Sequence, residues 1–187
     1  KALLLGGDLR GANLAGADLS FADLTAANLM EANLTGANLS GADIRGSANL
    51  ANADLTNANL TNTELRKAIL TNTNLTGAIL RGVNLGKTDL AGRNFSGQNL
   101  MGVDLSHANL LNADLGNSNL TGANLKDAKL VGRFTREGYF SRGANLTRCI
   151  LKGANFMQAD CHGADIVDAD LRESNLSKTN LIEADLR

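Results

Sequence analysis

Large apolar residues recur at every fifth position along most of the chain. If each is called position i, they run without interruption over residues 9–44, 50–130 and 146–186, which gives 34 repeats. Position i is leucine in 29 of the repeats, position i−2 is alanine in 22, and position i−1 is asparagine or aspartate in 29. Internal repetition of this kind is the first constraint on the fold.

A period of five fits neither an α-helix nor a flat strand. On a helix each step of five would rotate by ~140°, so the leucines would share no face. On a strand an odd step would send alternate leucines to opposite sides. Positions i−2 and i can both face inward from a short extended segment if the chain turns a corner before the next repeat. The small and polar residues at i+1 and i+2 suit such corners, so the pattern predicts closed coils stacked by backbone hydrogen bonds.

Polar and backbone chemistry agree with stacked coils. Asparagine and aspartate at i−1 tolerate tight backbone geometry and can bond nearby amides. Proline is absent from the chain, as expected if most amides donate to a neighbouring coil.

The tandem pattern of alanine, aspartate or asparagine, leucine and two variable residues resembles the pentapeptide repeat family over nearly the whole chain. The resemblance implies an all-β fold, a right-handed quadrilateral β-helix with four repeats in each coil. With 34 repeats, it implies about eight coils in a single solenoid over residues 1–187.

The period is interrupted at two places. One extra residue lies near Gly46 and Ser47, which predicts a bulge at a corner. The second interruption is at residues 131–143, where Leu130 and Leu146 are sixteen residues apart instead of five. This stretch is either a loop of eleven extra residues in one corner or two degenerate repeats centred on Thr135 and Phe140 with one extra residue. Threonine is a poor core residue, which favours the loop.

The second interruption also carries the predicted binding residues. Arginine and aromatic side chains are enriched where proteins bind one another, so the stretch is interpreted as a docking loop for a protein partner. The alternative is a loop whose aromatic side chains fold back over an apolar strip formed by Leu111 and Val131. The candidate partner-binding residues are Arg133, Phe134, Arg136, Tyr139, Phe140 and Arg142.

No catalytic, cofactor or metal site is predicted, and the chain is interpreted as a non-enzyme. His107 and His162, the two histidines, fall on outward positions far apart in sequence. Asp104, Ser106 and His107 resemble a hydrolase trio in composition, but the repeat itself generates such neighbours on a convex wall.

Two cysteines at inward positions are interpreted as buried thiols. Arg93, at the inward position i−2, predicts a local bulge of the wall, because burying an unpaired charge is costly.

Charge separates the alternatives for function. The resemblance implies, as one alternative, a protection factor for bacterial DNA gyrase of the quinolone- or toxin-resistance type, acting as a mimic of DNA. Duplex DNA carries about one charge per 1.7 Å, whereas this chain has a net charge of −1. Residues 1–62 carry net −3, residues 63–153 net +6, and residues 154–187 net −4. This pattern copies DNA poorly, and its basic centre leaves nucleic-acid binding as a third hypothesis.

The leading hypothesis is therefore a non-enzymatic scaffold or protein-interaction element with an unknown protein partner. An uncovered end coil is an open sheet edge, so end-to-end self-association is also expected. The chain lacks an apolar run of about 18 residues, which argues against membrane insertion. No signal peptide is visible, which favours the cytoplasm, although a chain beginning at Lys1 is either processed or part of a longer one.

Overall fold

The computed structural model describes residues 2–131 and 143–187. These residues form two compact units, Lys1–Thr88 and Asp89–Arg187, each with its own stack of coils. Regular structure in the described residues consists of isolated parallel β-bridges, without helices or longer strands. A single solenoid over residues 1–187 stays a prediction.

In both units the bridges join residues that are one coil apart. In the first unit Asp8 pairs with Asn28, and in the second Asn99 pairs with Asn119, each pair being twenty residues apart and parallel. The bridging residue is always position i−1 of a repeat. Since twenty residues contain four repeats, each coil has four short walls and four corners, which is the coil length that the family resemblance implies.

The core of each unit lies inside its coils. Away from the two ends of the chain most leucines at position i are buried, with Leu60 and Leu80 at 0% and 1% exposure, and so are most alanines at i−2, such as Ala22 and Ala27. The predicted inward direction of these two positions is confirmed. Burial of one leucine side chain contributes about 1.5–3 kcal/mol, so this interior column is the main source of stability.

The corners repeat one hydrogen-bond pattern. The amide of i+3 donates to the carbonyl of i, as Ala27 does to Leu24 at 3.0 Å. The amide of i+2 donates to the next coil, as Ala26 does to the Arg45 carbonyl at 3.0 Å. Position i+2 has a left-handed backbone even where it is not glycine, as at Ala26, with φ of 56°.

The polar residue at i−1 stabilises the corner that follows it. The Asp54 carboxylate accepts the Thr56 amide at 3.0 Å, and hydrogen bonds from the Thr56 hydroxyl and amide lower the pKa of Asp54. The same side chains link successive coils, since Asn38 Nδ2 donates to Asp18 Oδ1 at 3.2 Å. Both roles follow from the short reach of asparagine and aspartate.

Threonine replaces alanine at some inward positions and is satisfied there. The Thr63 and Thr73 hydroxyls donate to the carbonyls of Leu39 and Leu50 in the preceding coil, at 2.8 and 2.9 Å. A buried hydroxyl with a partner avoids most of the cost of desolvation.

The extra residue near Ser47 shifts the register of the first unit by one. Bridges that span it, such as Asn28 with Asn49, join residues 21 apart. Gly46 and Ser47 both have left-handed backbones, with φ of 72° and 66°. The amides of Gly46, Ser47 and Ala48 donate to no residue in the described parts of the chain. The corner pattern is therefore broken at this one place and resumes at Asn49.

Candidate functional site

The six predicted docking residues fall within residues 132–142, which lie outside the described residues. Their role stays a prediction. They are Arg133, Phe134, Arg136, Tyr139, Phe140 and Arg142.

The described residues on either side show how the insertion joins the second unit. Asp114 bridges Asn145, 31 residues on, where a regular coil would give twenty. The Ala144 amide donates to the Leu130 carbonyl at 2.9 Å, which is the bond that closes a regular corner. Eleven additional residues are thus contained between two residues that are hydrogen-bonded at a single corner.

Gly143 packs tightly where the chain returns to the coil. Its amide donates to the Gly163 carbonyl at 2.8 Å. A Cβ atom at Gly143 would lie 2.6 Å from the Leu130 carbonyl oxygen and 2.8 Å from the Ala164 nitrogen. Both neighbours are backbone atoms, so only glycine fits without moving the coil.

An apolar strip borders this corner at position i+1, formed by Leu111 and Val131 in adjacent coils and by Ile182 one coil beyond His162. Leu111 and Val131 are half-buried, whereas Ile182 is 63% exposed. His162 lies between Val131 and Ile182, and its Nε2 atom is 3.4 Å from a Glu183 oxygen. The strip extends along the stack on both sides of the insertion.

Two basic residues close to the insertion in sequence are already paired. Arg148 lies 3.7 Å from Asp168, and Lys152 lies 3.3 Å from Glu173. These exposed pairs between coils are worth little in stability. They nevertheless place an acidic partner beside each cation, so neither is an isolated positive charge for a ligand.

Asp104, Ser106 and His107 do not form a hydrolase arrangement. The Asp104 carboxylate accepts the Ser106 backbone amide at 2.9 Å, as in most corners that follow asparagine or aspartate. The His107 imidazole lies 3.7 Å from Asp127 in the next coil. The aspartate thus holds the backbone of the serine instead of orienting the histidine.

The two cysteines are buried and are not bonded to each other. The Cys149 thiol donates to the Leu115 carbonyl at 2.8 Å, the place that threonine hydroxyls take elsewhere in the stack. Burial raises the pKa of both thiols, that of Cys161 to about 12. Neither thiol is a reactive thiolate at neutral pH.

Arg93 is half-buried at its inward position, yet the wall keeps its regular register. Its carbonyl accepts the Asp114 amide at 2.8 Å, and Asn94 bridges Asp114 as usual. The predicted bulge is therefore wrong. Desolvation lowers the pKa of Arg93, and the charge of Asp89 opposes the shift.

A basic corner in the first unit, which is not among the predicted sites, is formed by Arg45, Arg66, Lys67 and Lys87. Arg45 and Arg66 are the i+1 residues of adjacent coils, and Lys67 and Lys87 are i+2 residues of adjacent coils, in the register set by the Asp43–Glu64 and Glu64–Asn84 bridges. With Thr25 and Gly46 they line a pocket of about 400 Å³.

A signal for this corner exists in the sequence. The corner residues are spaced by one coil, with twenty residues between Lys67 and Lys87 and 21 across the insertion between Arg45 and Arg66. Writing the chain in rows of one coil would have aligned them. The net charges of residues 1–62 and 63–153 do not reveal the corner, because they count Arg45 in one segment and the other three cations in the next.

Two further kinds of feature are absent from residues 2–131 and 143–187. Clusters of three or more histidine, cysteine, aspartate or glutamate side chains suited to a metal ion do not occur among them. These residues likewise contain no helix of the length and hydrophobicity needed to span a membrane.

Comparison with known proteins agrees with the repeat. The model of the pentapeptide repeats matches residues 8–46, 48–86, 78–115, 99–132, 142–172 and 154–187, in eight copies. No curated protein matches the chain.

Solved structures of similar proteins include HetL, a pentapeptide repeat protein involved in heterocyst differentiation regulation from the cyanobacterium Nostoc sp. strain PCC 7120. The two are 30% identical, with 98% of this chain and 86% of HetL covered and a TM-score of 0.63. A pentapeptide repeat protein of the Arabidopsis thaliana thylakoid lumen is 29% identical over 68% of each chain, with a TM-score of 0.26. The plasmid-mediated fluoroquinolone resistance protein QnrB1 is 17% identical, covering 90% of this chain and 88% of its own, with a TM-score of 0.40.

The five-residue period, the coils of four repeats and the buried leucine column lead to the same assignment as the family match. The chain belongs to the pentapeptide repeat family.

Proposed function

We propose that the protein is a non-enzymatic interaction element whose partner protein docks on the insertion at residues 131–143 and on the apolar strip beside it. The observation that carries the proposal is the closed corner at Leu130 and Ala144. The coil is complete without the inserted residues, so they are not needed to build the core.

The composition of the insertion supports a protein partner. Residues 132–142 contain three arginines and three aromatic residues, types that supply much of the binding energy at protein interfaces. The apolar strip extends this surface at Ile182, which is 63% exposed. The involvement of HetL in the regulation of heterocyst differentiation is consistent with an interaction role for this chain.

The test is a deletion that leaves the solenoid regular. Removing residues 132–142 joins Val131 to Gly143 and gives the sequence Leu-Val-Gly-Ala-Asn-Leu, an uninterrupted repeat. We expect this variant to keep its circular dichroism spectrum and melting temperature while losing the partner that the complete protein captures in affinity purification.

A point variant outside the insertion is the control for the loss of a nearby positive charge. Arg148→Ala removes a nearby exposed cation that is paired with Asp168, and it should retain the partner. If the deletion variant is folded and still binds every partner of the complete protein, the docking proposal is wrong.

Gyrase protection is the alternative implied by the family. It predicts that the protein restores supercoiling by DNA gyrase in the presence of a quinolone, which the leading proposal does not.

We further infer a right-handed winding of the coils from family membership, since the twenty-residue bridges set the coil length for either hand.

A further inference from the structure

We propose that the basic corner of the first unit, Arg45, Arg66, Lys67 and Lys87, is a binding site for a small oligophosphate, a ligand carrying two or more linked phosphate groups. This proposal concerns a different surface from the docking insertion and does not depend on it.

The corner concentrates positive charge, of which only that of Arg45 is paired within the described residues. Arg66, Lys67 and Lys87 are exposed and form no ion pair with any residue in the described ranges. Arg45 is paired with Asp43 at 2.9 Å. Like charges on adjacent coils repel one another, and a bound polyanion would relieve that repulsion.

Acidic side chains near the corner do not line the pocket. Glu64 precedes Arg66 by two residues, and its carboxylate accepts the Asn84 side-chain amide at 2.9 Å. Asp23 accepts the Thr25 amide at 3.1 Å. The lining residues are the four cations, Thr25 and Gly46. The Asp43 carboxylate, paired with Arg45, therefore competes for one cation and leaves Arg66, Lys67 and Lys87 as donors.

Backbone donors add to these side chains. The amides of Gly46, Ser47 and Ala48 have no partner among the described residues, and Gly46 lines the pocket. Elsewhere in the unit the amide at i+2 is used between coils, as at Ala26. Backbone N–H groups left free by an irregular turn, together with lysine and arginine, are a common means of binding phosphate.

The dimensions favour a ligand with more than one phosphate. Successive coils lie about 4.8 Å apart, so cations on three coils face different parts of one ligand. The pocket volume of about 400 Å³ is within the usual range for small-molecule sites. No aromatic side chain is among its lining residues, so a nucleobase would lack a stacking partner. The affinity for a nucleotide would therefore come from its phosphate groups.

The primary experiment is calorimetric titration of the complete protein at low ionic strength with inorganic triphosphate, orthophosphate and ATP. We expect inorganic triphosphate and ATP to bind with affinities within about threefold of each other, because the base adds no contact. Orthophosphate should bind at least about tenfold more weakly, a difference of 1.4 kcal/mol. Equal affinity for orthophosphate and triphosphate would show an unspecific cation cluster and would overturn the proposal.

Variants locate the site. Arg66→Ala combined with Lys87→Ala should weaken triphosphate binding at least about tenfold, since charge-assisted hydrogen bonds to two coils are lost. Arg81→Ala is the matched control, because Arg81 is an exposed i+1 arginine of the same unit that lies outside the pocket. It should change the affinity by less than about twofold.

Deletion of Ser47 tests the backbone donors. It gives Ile-Arg-Gly-Ala-Asn-Leu, a regular repeat that keeps all four cations, and it should bind triphosphate more weakly than the complete protein. Unchanged binding in both the Arg66→Ala/Lys87→Ala variant and the Ser47 deletion overturns the proposal. Retention of duplex DNA that depends on Arg66 and Lys87 and exceeds triphosphate binding would also overturn it, in favour of nucleic-acid binding.

Discussion

At the scale of single residues, the left-handed backbone that each corner requires at position i+2 explains much of the sequence. This position has a left-handed backbone in glycine repeats and also in repeats with Ala26, Glu31 or Lys67. A residue with a Cβ atom pays about 1–2 kcal/mol for this conformation. The fold accepts that cost repeatedly because the neighbouring coils hold each corner in place.

Replacing such a residue by glycine should stabilise the protein. We expect Ala26→Gly to raise the free energy of unfolding by about 0.5–1 kcal/mol, the relief of strain minus the added flexibility of the unfolded chain. The next residue is the control, since Ala27 is fully buried at i−2. Ala27→Gly should lower the free energy of unfolding by about 1–2 kcal/mol. Urea denaturation measures both, and changes of the same sign would contradict the assignment of the two positions.

Cys161 should make stability depend on pH in the alkaline range. Burial raises the pKa of its thiol from 9.0 to about 12. Above pH 9 the unfolded thiol loses its proton while the folded thiol keeps it, so deprotonation favours unfolding. The contribution is complete below pH 9 and is lost progressively up to pH 12. Between pH 8 and pH 10 the loss is on the order of 1 kcal/mol.

The measurement compares urea denaturation at pH 8 and pH 10 for the native protein and Cys161→Leu, which carries the usual residue of position i. Over this interval the variant should lose less stability than the native protein, by on the order of 1 kcal/mol. Identical losses would mean that the thiol is accessible to water in the folded state.

At the scale of structural elements, Gly143 lets the corner close where the insertion rejoins the coil, because it has no Cβ atom to clash with the backbone there. We expect Gly143→Ala to lower the free energy of unfolding by about 1–3 kcal/mol, because the new methyl group meets backbone atoms that cannot rotate away. Gly122→Ala is the control, since Gly122 has a left-handed φ of 66° and open space at the Cβ position. It should cost about 1 kcal/mol. A Gly143→Ala protein as stable as the native one would show that the coil moves easily at this corner.

The elements also show how far the sequence predicts the structure. The period of five was sufficient to place Leu60 and Leu80 in the core, because a corner after each short extended segment turns successive leucines to the same side. It located the extra residue near Ser47 but not the two successive left-handed residues there, which depend on neighbouring coils. The bulge predicted at Arg93 was wrong because the Arg93 amide and carbonyl keep the regular backbone hydrogen bonds, even though the side chain is half-buried.

The candidate sites were less predictable than the core. The basic corner joins Arg45 to Lys87, which are distant in sequence and become neighbours only through the coil register. Residues 132–142 have no five-residue pattern, so the sequence gives their chemistry but not their conformation.

At the scale of the whole molecule, the alternation of charge along the chain should govern association between copies. Residues 63–153 carry net +6, whereas residues 1–62 and 154–187 carry net −3 and −4. Opposite zones of two copies attract near neutral pH, where the net charge is −1. Self-association at low ionic strength should therefore weaken as sodium chloride is raised to about 0.5 M, where screening is effective within a few ångströms.

Light scattering over a series of salt concentrations checks this expectation. End-to-end pairing through open coil edges, the mode expected from the repeat alone, depends on backbone hydrogen bonds and apolar contact and should not weaken with salt. Association that persists or grows at high salt would favour end-to-end pairing over attraction between the charged zones.

The hydrogen bond between Ala144 and Leu130 has a consequence for how this protein can change over evolution and in the laboratory. It joins described residues on the two sides of an eleven-residue addition. We therefore expect the fold to tolerate mutations between those ends more readily than mutations of the buried leucine column. The same corner should serve protein engineers as a grafting point, where a foreign peptide is exchanged for the native one.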